Sequence, residues 1–181
     1  MSKRVLSKSN QHLSIKDIAD IYDYRERSLK LLFSAHNGVY ADCFYGFSKD
    51  EVLDELKYQI LEIEKDACLN LLASMEAAFR LDYAIRCEKK DKAEISKNFK
   101  LLFDVYEYRL SLEDNIFEEW KKSNLIKPSL IGDLKDAFKY RHWLAHGRYW
   151  TLKAGKPKYD FYELYKLAEK IINTFPLKKS I

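Results

Sequence analysis

Residues that break helices are scarce in this chain. It holds five glycines and three prolines in 181 residues, and after Gly46 neither type recurs until well past Cys87. Glycine and proline interrupt helices more than any other residues, so their absence over such a span points to one very long helix. The apolar positions agree: Leu53, Leu56, Ile60, Ile63 and Ala67, then Leu71, Leu72, Met75 and Phe79, recur at helical spacing. Ser48 with Glu51 forms a capping-box pattern at the start of this run.

The rest of the chain reads the same way. Ser14 with Asp17 opens a helix that carries Ile15, Ile18, Tyr22, Leu29 and Leu32 up to Phe33. Residues 34–47, with Gly38 and Gly46, read as an aromatic-rich loop that packs down on the body. The charged stretch 88–92 is a turn. A third pattern runs from Ile95 through Phe99 to Tyr106, and Ser111 with Asp114 marks a restart that ends at Trp120. Pro128 and a cap at Ser129 open the next helix, which Gly147 ends. Residues 151–158, with Gly155 and Pro157, form a loop, and the last helix runs from about Phe161 to Phe175. No strand pattern competes. The expectation is an all-α fold, an up-and-down bundle of four to six helices, with residues 1–13 as a polar arm and residues 14–181 as one helical domain.

Several function classes lose support. Hydrophobic residues make up 47% of the chain, too many for a disordered protein. Cys43, Cys68 and Cys87 are odd in number and show no CxxC spacing, which argues against a disulfide framework and a zinc site. Thiols without such spacing, no apolar leader and no membrane-length apolar run together point to a cytoplasmic protein. No glycine-rich phosphate loop is present, and no cluster has the spacing of a metal centre, so neither a cofactor nor a metal is expected.

The segment Arg141-His142-Trp143-Leu144-Ala145-His146-Gly147 carries the chemistry. An arginine keeps its proton and can hold a phosphate, while an imidazole can move one. On a helical wheel Leu134, Ala137, Phe138, Leu144 and Ala145 share one face. Arg141 falls near the centre of that face, His142 on its flank and His146 further round. Arg141 and His146 sit ~140° apart on a straight helix, so the arginine stem reaches round, the helix distorts before Gly147, or two copies of the chain combine their motifs. A cation on an apolar face needs an anionic partner, either a carboxylate such as Glu76 or a bound phosphate.

The charge pattern suggests an anionic ligand. Between Lys135 and Lys158 seven cations, among them Lys139, Arg141 and Arg148, face one acid, Asp136. Residues 50–66 are acidic by contrast. Tyr149 and Trp150 follow the motif, either to stack bases or to pack the loop back on the bundle.

These residues resemble the HEPN superfamily (higher eukaryotes and prokaryotes nucleotide-binding domain), whose helical domains carry Arg-x4-His near the end of the penultimate helix. The matching motif is Arg141 to His146. The segment from Tyr140 to Trp150 is similar to HEPN proteins of prokaryotic defence and toxin–antitoxin systems, and Leu72 to Phe79, with Glu76, resembles their earlier helix. The resemblance spans roughly residues 48–175. It implies a homodimeric, metal-independent endoribonuclease in which Arg141 holds the RNA phosphate and His146 carries the proton. His142 and Glu76 would support the site, and Lys139, Arg148, Tyr149 and Trp150 would bind RNA. It also implies an antitoxin protein as a candidate partner. In some relatives that partner modifies a tyrosine two residues after the histidine; here position 148 is arginine and the tyrosine is Tyr149. Other family members are non-catalytic helical dimers that bind nucleotide or a partner protein, which is the alternative function.

Overall fold

The computed structural model describes residues 6, 7, 9, 11–152 and 159–178. These residues form an all-helical bundle without a strand. Its helices are α1 (Ile15–Leu32), α2 (Tyr40–Cys43), α3 (Lys49–Glu88), α4 (Glu94–Tyr106), α5 (Phe117–Lys122), α6 (Pro128–Ala145) and α7 (Phe161–Thr174). A π-helical turn at Leu112–Ile116 leads directly into α5. Five of the helices are long; α2 has four residues and α5 six.

The helix starts follow local chemistry. At α1 the Ser14 hydroxyl accepts from the Asp17 N–H at 3.1 Å, and the Asp17 carboxylate accepts from the Ser14 N–H at 3.0 Å. The same reciprocal box joins Ser48 and Glu51 at α3, and Ser111 accepts from the Asp114 N–H at the π turn. Each box satisfies backbone donors that the first turn leaves without partners. Ser129 does not cap α6, contrary to expectation. The cap position is Lys127, which supplies no side-chain bond, and Pro128 occupies the first turn. Proline presets the helical φ and has no N–H to satisfy there, so the helix starts without a hydroxyl cap.

The 40 residues of α3 make it the axis of the bundle, at ~1.5 Å per residue about 60 Å long. Three of its neighbours, α1, α4 and α6, run antiparallel to it, and α7 runs parallel. Ser74 on α3 donates to the carbonyl of Leu13 just before α1, whereas Tyr22, further along α1, lies with Ile63 and Ala67, so α1 runs antiparallel to it. The α4 ring Phe99 meets Tyr83 at 5.2 Å, so α4 folds back along the C-terminal end of α3. On α6, Arg141 meets Glu76 and the following Arg148 meets Glu62, again antiparallel. The α7 start, Phe161 N–H, donates to Glu64, and Phe175 stacks edge-on to Phe79 at 5.1 Å, so α7 runs parallel to α3.

The core gathers around Phe79. It is fully buried, with Phe117 at 5.0 Å and Phe175 at 5.1 Å, both edge-on. Three helices or helix ends thus share one aromatic contact, each edge-on pair adding ~0.5–1.5 kcal/mol beyond area burial. Beside it lies a buried ion pair. Arg86 Nε donates to Asp82 at 2.7 Å, and the same Asp82 oxygen accepts from the Lys178 N–H at 2.7 Å. Arg86 also donates to the Pro176 carbonyl and sits 5.3 Å over the Trp120 ring. The network ties the segment after α7 to α3. Burial pushes the Asp82 carboxyl up, against the Lys178 N–H and Arg86, which pull it down.

The expectation that residues 34–47 pack onto the body needs correction. Phe33, Tyr40, Phe44 and Phe47 pack on one another, with Phe33–Phe44 at 4.6 Å and Tyr40–Phe44 at 5.0 Å. None of the four belongs to the main core, and Tyr45 is 91% exposed. The reason is the length of α3: before Ala67 its only buried residue is Val52, so its first turns extend past the packed body and offer the loop little surface. Much of the polar arm at 1–13 lies outside the described residues. Of the remainder, the Leu6 N–H donates to Glu88. No helix among the described residues is long and apolar enough to cross a membrane.

Candidate functional site

Helix α6 is anchored by its first four turns. Leu130, Ile131, Leu134, Ala137, Phe138 and Tyr140 are buried, and the helix then runs out past the edge of the body. Leu144 is only half-buried, and Ala145, His146 and Gly147 are exposed. Placing Ala145 on the core face was therefore wrong, because a helical wheel cannot show where the partner surface stops.

The end of α6 is a tight left-handed turn. Gly147 has φ +82° and Arg148 φ +61°, and the Arg148 N–H donates to the Trp143 carbonyl at 3.1 Å. This is the bond of a Schellman cap, which serves the last unpaired carbonyls of a helix. A left-handed non-glycine residue costs ~1–2 kcal/mol. Arg148 offsets part of that through its ion pair to Glu62 on α3, at 2.7 Å. The turn then brings the chain back alongside the helix. Trp143 Nε1 donates to the Trp150 carbonyl at 2.7 Å, and the Trp150 ring lies 5.8 Å from His142.

The turn completes a pair of histidines. The rings of His142 and His146 lie with centroids 4.2 Å apart, tilted 49°, and both residues are exposed. Residues four apart on a helix differ by only ~40° in direction, which brings the two imidazoles onto one face. The sequence reading weighed Arg141 against His146 and passed over this spacing, although His-x3-His was visible in it. His142, Trp150, Lys139, Thr151 and Leu152 line an open depression of about 490 Å³ beside the pair.

Arg141 points the other way, toward α3. Its Nη2 lies 3.1 Å from Glu76, and Glu76 also takes Arg80 Nε at 2.7 Å. One carboxylate thus serves two guanidinium groups and leaves a net positive charge. The Arg141 Nε is buried and finds no acceptor among the described residues. The side chain as a whole is 33% exposed, so this cation borders solvent and is not sealed in the core. Arg141 and the histidine pair thus lie on different sides of the end of α6, as their angular separation requires.

The basic segment is less basic in the fold than along the chain. Lys135 pairs with Glu118, Lys139 with Asp136, Arg141 with Glu76 and Arg148 with Glu62. Lys153, Lys156 and Lys158 lie outside the described residues. Each of the four described cations thus has a carboxylate partner: Glu118 on α5, Asp136 on α6 itself, and Glu76 and Glu62 on α3. Lys65 first, then Arg148, hold the Glu62 carboxyl below its ordinary value, and Asp136 raises Lys139. Arg148 thus serves the fold through Glu62 before any ligand. Tyr149 is 84% exposed, and its ring meets Trp150 edge-on at 4.7 Å, which leaves one aromatic face open to solvent.

Among the described residues no group of three or more His, Cys, Asp or Glu side chains is placed to enclose a metal ion. No protein-family model matches the chain, and comparisons with curated proteins and with solved structures give no match.

Proposed function

We propose that the chain is an endoribonuclease that cuts RNA by attack of the substrate's own 2′-hydroxyl, in the manner of a toxin or antiviral effector. The observation that supports it most is the pair of exposed imidazoles, 4.2 Å apart and beside an open depression, with a one-third-exposed arginine directly before His142 that turns toward α3. Cleavage at a phosphodiester needs one group to take the 2′-hydroxyl proton and one to protonate the departing 5′-oxygen. Two neighbouring imidazoles can share these tasks, with His146 as the principal proton carrier and His142 as its support. Arg141 offers a permanent cation for the phosphate through the exposed part of its side chain. Tyr149 offers a stacking surface, and Trp150 walls the depression. The nucleophile belongs to the RNA, so the reaction calls for no metal. A second copy of the chain, docked by the exposed end of α6, would bring two motifs together in one cleft.

The alternative is a non-catalytic helical dimer that binds nucleotide or a partner protein. The Arg141–Glu76 ion pair favours it, since that arginine already has a carboxylate. Incubation of labelled single-stranded RNA with the purified chain in EDTA separates the readings. The nuclease reading expects 2′,3′-cyclic phosphate ends and intact DNA; binding without cleavage would favour the alternative.

A further inference from the structure

We propose that His142 and His146 together chelate one late first-row transition-metal ion, Cu2+ above the others, with water completing its shell. An ion ~2.1 Å from one nitrogen of each imidazole, at a cis angle of ~90°, sets the ring centroids about 4.6 Å apart. The observed separation is 4.2 Å. The two residues sit on the last turn of α6 and at its cap, and His146 is fixed by its N–H bond to the His142 carbonyl at 3.1 Å. The backbone spacing of the pair is therefore set before the ion arrives, and the exposed rings need only turn to meet it.

Exposure helps. Both rings are solvent-facing, so an ion keeps its remaining waters and loses little hydration. The depression that His142 lines gives those waters room. The nearest charged residue lining it, Lys139, has Asp136 at 2.6 Å, which lessens repulsion of a cation. Two imidazoles without a carboxylate select the metal: nitrogen ligands suit copper, nickel and zinc, and the affinity order peaks at Cu2+. Mg2+ and Ca2+ prefer oxygen and should not bind here. With no third protein ligand among the described residues, the site is an open chelate and not a closed structural centre.

A nitrogen bound to metal cannot accept or donate a proton. On the nuclease reading, on which this consequence alone rests, an occupied site is a switched-off site. Metal binding itself depends only on the geometry.

The test uses untagged full-length protein carrying Cys43→Ser, which removes the exposed thiol. Cu2+ chloride is titrated in while nitrogen couplings are read by electron paramagnetic resonance and quenching is read from tryptophan fluorescence, Trp150 being 5.8 Å from His142. One equivalent should show two imidazole nitrogens. Loss of a mere outer partner of a ligand costs ~10–100-fold in affinity, so His142→Ala and His146→Ala should each weaken binding roughly 100-fold or more. His36→Ala, in the loop after α1, should change nothing. Binding of unchanged affinity in both α6 variants, or the absence of imidazole coupling, overturns the proposal. In parallel, one equivalent of Cu2+ should stop RNA cleavage and a chelator should restore it. If the metal-free protein cuts no RNA while Cu2+ binds through both histidines, the nuclease reading fails and the metal site stands. If it cuts RNA and no Cu2+ binds, the metal site fails alone.

Discussion

The Arg141 guanidinium on α6 lies 3.1 Å from the Glu76 carboxylate on α3, and Arg80 approaches the same carboxylate at 2.7 Å. The pair is half-open to solvent, with Arg141 33% and Glu76 20% exposed, so screening limits its strength. A double-mutant cycle with Glu76→Ala and Arg141→Ala, read by urea unfolding, should give a coupling of ~0.5–1 kcal/mol. A coupling indistinguishable from zero would mean that the contact does not hold the two helices together.

Phe79 joins α3 to the start of α5 and to the segment after α7 through Phe117 and Phe175. Phe79→Ala should cost ~3–5 kcal/mol in chemical denaturation, the usual cost of removing a fully buried ring. A loss below about 1 kcal/mol, outside the range of such core truncations, would show that this contact is not central to the core.

The thiols should separate by reactivity. Burial pushes the Cys68 thiol up to about 12, and Cys68 and Cys87 are buried while Cys43 is exposed. Iodoacetamide at neutral pH should therefore modify Cys43 alone in the folded protein and all three thiols after denaturation. Mass spectrometry showing rapid native labelling of Cys68 would contradict the packing of α3.

Acid should weaken the ion pairs of Glu62 with Lys65 on α3 and with Arg148 just after α6. Lys65, then Arg148, hold Glu62 below its ordinary value of 4.5, so the folded state favours the ionised form. That stability is present above the unfolded value and lost as pH falls through the lower folded value. Glu62→Gln should thus be less stable than the parent at neutral pH, and the gap should close well below pH 4.5. A gap that persists unchanged into strong acid would show that Glu62 acts by packing and not by charge.

Much of the fold was legible in the sequence because its signals are local. Ser14 with Asp17 and Ser48 with Glu51 cap the helices they were expected to cap, and Gly147 ends α6 in the left-handed turn that glycine favours. What was misread depends on distant surfaces. The aromatics from Phe33 to Phe47 look like core residues until the length of α3 is seen to carry them past the body. Arg141 on α6 and Arg148 just after it look free until α3 brings Glu76 and Glu62 against them. Pairing of Arg141 with Glu76 was foreseen from the need of a half-buried cation for a carboxylate. The contact between His142 and His146 was missed, although its four-residue spacing needed no structure to find.

The central claim is that the end of α6 cuts RNA through His146 and Arg141. The most direct measurement is the single-turnover cleavage rate of a labelled single-stranded RNA in EDTA, for the parent chain and for His146→Ala. Loss of a positioned acid–base group lowers rates ~10²–10⁴-fold, and the account predicts a drop of that size with 2′,3′-cyclic phosphate ends from the parent. Equal rates for the two proteins, or activity that EDTA abolishes, would contradict it.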